Sequence, residues 1–150
     1  GTTKSQTKIE NAKTIIHETI HAYLFTISNY PLVGMDIAQV INKILPLPKE
    51  QHGFMYNNML PVMVKVLTEI RDLVTTQAGR TVLETLYTMR PTAITNQSAS
   101  TPWIWNEYYK YISINGLEES SFYKEGFPKD TDQLYLLSKY IEYGHKELKP

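Results

Sequence analysis

The chain has 150 residues, enough for one domain with a real hydrophobic core. Its 15 basic and 15 acidic residues balance, so no electrostatic footprint points to nucleic acid or to an anionic membrane. It has no cysteine, which excludes disulfides and thiolate-ligated zinc, and no apolar run approaches the ~20 residues needed to span a bilayer.

Residues 1–7 are polar and read as a frayed end. Gly1 reads as a residue left by tag cleavage, with the natural N-terminus trimmed, so the lack of a targeting segment leaves the compartment open. From Lys8 to Ser28 there is no Gly or Pro, and apolar residues recur at Ile9, Ala12, Ile16, Ile20, Tyr23, Leu24 and Ile27, near helical spacing. Asn29-Tyr30-Pro31 should end this helix, since the residue before a proline avoids the helical region.

Inside that helix lies His17-Glu18-Thr19-Ile20-His21, an H-E-x-x-H motif. Residues four apart share a helix face, so His17 and His21 can offer two imidazole nitrogens to one tetrahedral metal. Glu18, about 100° round the cylinder, can reach a water on that metal without being a ligand. This is the chemistry of a zinc hydrolase: two histidines hold the ion and a carboxylate takes a proton from water. An accidental match is expected on the order of once in a few hundred chains of this length. The unbroken helical context favours the metal reading.

A second helix is expected over Asp36–Leu45 with Asp36 as N-cap, followed by the stiff Pro46-Leu47-Pro48. Gln51-His52-Gly53-Phe54-Met55-Tyr56-Asn57-Asn58-Met59 then leads into a long helical pattern through Val62, Val66, Leu67 and Ile70, which Pro61 must kink or start. A helix over Arg80–Met89 follows the expected break at Gly79. Residues Arg90–Pro102 read as loop. Trp103–Ile114 is an aromatic helix stopped by Asn115-Gly116, whose Trp105, Tyr108, Tyr109 and Ile112 are expected to pack as one face. A mixed loop and a last helix over Thr131–Tyr143 complete a mainly α chain with little or no β-sheet and no point at which to divide residues 1–150.

A catalytic zinc normally has three protein ligands and an open position. The metzincin spacing would place the third at Leu24 or Ile27, which excludes that class. Glu50 and Glu69 are available as carboxylate ligands on later helices. His52 is the stronger candidate, about 30 residues downstream after one intervening helix, the separation a returning antiparallel element gives. His145 sits in a terminal stretch expected to be solvated. Tyr56, one turn after His52, is the candidate donor for an oxyanion. Asp36, Glu50 and Glu69 are candidates to orient the histidines.

Thr14–Leu24 around the motif, together with Gln51-His52-Gly53-Phe54-Met55, resembles the SprT-like family of zinc metallopeptidases over roughly residues 8–60. The resemblance implies a zincin-like fold, one zinc ion held by His17, His21 and His52, Glu18 as general base, and a protein or peptide substrate. Two features depart from the family pattern. Few residues precede the motif helix, where zincins usually place strands, and there is no cysteine for the zinc ribbon of some relatives. A non-catalytic, zinc-stabilised interaction domain is the competing expectation.

Overall fold

The computed structural model describes residues 5–28, 34–91 and 99–149. The expected stop at Asn29-Tyr30-Pro31 therefore lies outside the described residues, although the helix it was to end does stop just before it. That helix, α1 (Lys8–Ile27), begins with a reciprocal cap at Thr7, which is wholly buried rather than frayed. The Thr7 amide donates to Glu10 Oε2 at 2.7 Å, and the Thr7 hydroxyl accepts from the Glu10 amide at 3.3 Å. The buried stripe of α1 is Ile9, Lys13, His17 and Leu24. Tyr23 and Ile27, expected inward, are 60% and 56% exposed, so the core face is rotated toward the polar Lys13–His17 pair.

Asp36 caps α2 (Ile37–Ile44) as expected and exchanges hydrogen bonds with Gln39. Next, α3 (Pro48–Phe54) passes without a break through a π turn (Met55–Met59) into α4 (Leu60–Val74). Pro61 explains the π turn. It has no amide hydrogen, and its ring crowds the carbonyl four residues back, so a strict α ladder cannot pass through it. The wider turn, in which the Leu60 amide bonds to Met55 O, carries the helix past this point.

Thr76 caps α5 (Gln77–Leu86), which starts earlier than expected because Gly79 lies inside it rather than before it. A Cβ at Gly79 would strike the backbone carbonyl of Glu147, so this glycine permits a close helix approach. The expected helix over Arg80–Met89 stops at Leu86, and its last two residues, Thr88–Met89 (β1), pair antiparallel with Thr101–Pro102 (β2) at the end of the expected loop. The aromatic helix α6 (Trp105–Ile114) is followed by α7 (Ser121–Gly126), a short helix hidden in the mixed loop and capped by Ser120. Thr131 caps α8 (Asp132–Glu147).

The mainly α architecture centres on α6, which packs against α4 on one side and α8 on the other and touches α1. Met55, Met59, Met63 and Leu67 from the continuous helix belong to one buried core cluster with Tyr108, Tyr109 and Ile112 of α6. Each such side chain contributes about 1.5–3 kcal/mol by leaving water. Trp103, Tyr108 and Tyr140 pack ring to ring, with Trp103 centroids 5.1 Å and 4.7 Å from the two tyrosines.

One buried polar side chain links three elements. Gln51 donates to Asn42 Oδ1 and to Leu45 O, both at 2.9 Å, and its Oε1 accepts from the Phe122 amide at 2.9 Å. It thereby satisfies an amide in the first turn of α7 from α3. No helix among the described residues is long and apolar enough to cross a membrane.

Candidate functional site

On α1 the two motif histidines stand one turn apart in different surroundings. His17 is buried, and its Nε2 lies 2.6 Å from the carbonyl oxygen of Ser113. A carbonyl only accepts, so Nε2 carries the proton and the neutral ring keeps its lone pair on Nδ1. One turn earlier, Lys13 Nζ donates to the carbonyl of Asn115 at 3.3 Å. Both side chains serve the end of α6, whose last carbonyls have no partners within the helix and carry the negative end of its dipole.

Burial, the dominant cause, together with the Lys13 charge, lowers the His17 pKa to about 4, while the Ser113 hydrogen bond and Glu18 pull the other way. His17 is therefore neutral at physiological pH. Burial likewise lowers the Lys13 pKa, against the pull of Glu10 and Glu118. Gly116, at φ +101°, lies against the Nδ1–Cε1 edge of the His17 ring, where a Cβ would be in van der Waals contact.

His21 and Glu18 face the outer flank. Their side chains are 24% and 72% exposed, and His21 Nδ1 is 3.7 Å from Glu18 Oε2, beyond hydrogen-bond reach. The opposite flank carries an apolar groove of about 230 Å³ between α1 and the continuous α3–π–α4 helix, walled chiefly by Ile20, Tyr23, Phe54, Met59 and Val62. Tyr23 is about 140° and Thr19, which also lines the groove, about 100° round the helix from Glu18, so the groove runs along the side of α1 away from His21.

His52 and Tyr56 share a face, with ring centroids 4.7 Å apart, and both pack on Phe122, His52 tilted at 5.5 Å and Tyr56 edge-on at 5.6 Å. This aromatic trio covers the start of α7, an element the sequence did not reveal. Glu50 is exposed in the first turn of α3, and Glu69 is exposed on α4. Asp36 is engaged as the α2 cap. His145 is not free in solvent. Its Nδ1 binds Glu10 at 3.0 Å and 3.1 Å.

Among the described residues, no three His, Asp or Glu side chains come together as a group that could hold a metal. The set His17, His21 and His52 is thus not assembled in this arrangement, and neither Glu50 nor Glu69 takes the third place. One feature of His17 suits zinc, since a ligating imidazole commonly donates its other N–H to a backbone carbonyl, as His17 does to Ser113, but its Nδ1 edge lies against Gly116. Lys13 and Ser113 were missed in sequence. The available signal was a lysine four residues before a histidine on an otherwise apolar stripe.

No protein-family model matches the chain, and no curated protein or solved structure matches it.

Proposed function

We propose that the chain is a zinc-dependent hydrolase of peptide bonds related to the SprT-like zincins, with His17 and His21 as helix-borne ligands, His52 as the third ligand and Glu18 as general base. The observation that carries this reading is the H-E-x-x-H sequence set on a continuous helix, with a neutral His17 whose Nε2–H is held by a carbonyl. Zinc, when bound, lowers the pKa of a water and polarises a carbonyl. Ser113 fixes the tautomer and orientation of the His17 ring. Glu18, exposed and free of any lysine or arginine ion pair among the described residues, is available to accept a proton. Tyr56, held on the face of His52, is the nominee for hydrogen bonding to a developing oxyanion.

The test is elemental mass spectrometry on the purified chain beside peptidase assays of Glu18→Gln. About one zinc per chain, hydrolysis in the parent and zinc-loaded but inactive Glu18→Gln are the expected results. Hydrolysis that survives in Glu18→Gln removes the mechanism.

One observation favours a second reading, a non-catalytic domain. His17 already has a complete structural task, joining α1 to the end of α6. In that case chelation changes only the thermal midpoint, and no substrate is turned over.

A further inference from the structure

The flank of α4 beside the apolar groove is exposed along most of its length. Val62, Lys65, Val66, Glu69 and Leu73 fall within an arc of about 100° on this helix. Val62, which lines the groove, is exposed, and Leu73 is 82% exposed. Across the groove α1 adds Tyr23 and Ile15, both exposed, with Ile15 about 40° round from the groove-lining Thr19. Single apolar side chains at a surface are ordinary, but four on one two-helix face form a patch of the kind that marks an interface.

The charges of this flank fit a second copy of the same chain. Lys65 and Glu69 are exposed and stand one turn apart, yet neither has an ion-pair or hydrogen-bond partner among the described residues. Lysine ahead of glutamate is the less favourable order for pairing along one helix. Positions 65 and 69 are equally far from Leu67. Two copies of α4 crossing antiparallel at Leu67 therefore bring Lys65 of each copy to Glu69 of the other, and two-fold symmetry makes both pairs at once. The same register sets the prominent Leu73 of one copy level with Pro61 and Val62 of the other, at the rim of its groove.

We propose that two copies of this chain associate through the α4 flank in this antiparallel, two-fold register. Burial of Val62, Leu73 and Ile15 drives the association, and the Lys65–Glu69 pairs, exposed at the rim, set its register more than its strength. The surface uses neither the three histidines nor Glu18, so it stands apart from the zinc reading.

The experiment is sedimentation velocity on the full chain over a concentration series. The expected result is a concentration-dependent rise toward twice the 17.3 kDa of one chain. Lys65→Glu and Glu69→Lys each set like charges against one another across the axis, and each should weaken the dimer severalfold. Mixing these two variants puts opposite charges at both contacts, so the mixture should regain the parental affinity. Leu73→Ser, at an exposed position, should weaken the dimer severalfold with unchanged circular dichroism. A parent that stays monomeric throughout the series would overturn the proposal. So would a dimer that the single charge reversals or a folded Leu73→Ser leave intact, or a mixture that stays monomeric.

Discussion

The imidazole of His17 donates to the carbonyl of Ser113 at 2.6 Å across 96 positions of sequence, and this bond joins the first helix to the end of the central one. Burial of the ring it holds, and not the bond itself, makes stability pH-dependent. The His17 pKa falls from 6.5 in the unfolded chain to about 4 in the fold, so between these values the unfolded chain holds a proton that the folded chain lacks. Stability contributed here is full above about pH 6.5 and is lost as pH falls toward about 4, amounting to about 3 kcal/mol. Urea denaturation from pH 7.5 to 4.5 should show this decline. His17→Gln, which can still donate to Ser113, should flatten it, and an unchanged slope would disconnect His17 from the acid sensitivity.

Gln51 offers a test of the α2–α3–α7 junction. Gln51→Ala leaves the Phe122 amide buried and the part-buried Leu45 carbonyl without their partner, which should cost about 1–3 kcal/mol, read as a lower urea midpoint at unchanged slope. A loss within measurement error would mean that α7 does not dock on α3 through this side chain.

Two helical glycines should respond with opposite signs to the same substitution. Helix propensity alone favours alanine by about 1 kcal/mol. At Gly53 the added methyl meets only Asn57 Nδ2 at 3.9 Å, so Gly53→Ala should raise the thermal midpoint. At Gly79 the methyl strikes the Glu147 backbone, and overpacking of about 1–3 kcal/mol outweighs the gain. Midpoints that move in the same direction would contradict the α5–α8 contact.

His52→Ala separates the metal from the aromatic trio. If His52 is the third ligand, zinc content falls sharply in the variant while circular dichroism stays that of a helical protein. Zinc retained at parental stoichiometry would assign the third position elsewhere and leave His52 a packing role against Tyr56 and Phe122.

The elements legible in the sequence were those with a local signature. Asp36, Thr131 and the Asn115-Gly116 stop mark boundaries through their own hydrogen-bond chemistry, and the structure places helix ends beside all three. The inward packing of Tyr108, Tyr109 and Ile112 was legible for the same reason, being a matter of helical spacing. What escaped depends on distant partners. Gly79 looked like a break because nothing near it in sequence reveals the α8 carbonyl it accommodates. His145 looked solvated because Glu10 lies 135 positions away. The α1 motif was legible as a pattern, but its burial was not, since the α6 carbonyls that draw Lys13 and His17 inward are set by tertiary packing.

The π turn before Pro61 makes the continuous helix from Pro48 to Val74 behave like a shaft with an angular offset between its halves. The first half turns His52 and Tyr56 toward Phe122, while the second turns Met63 and Leu67 into the core. Removing one residue from the turn, such as Asn57, would rotate one half against the other by about 100°. The two faces could then no longer engage their partners together. The length of this five-residue turn, more than the identity of its side chains, keeps the His52 face and the core in alignment.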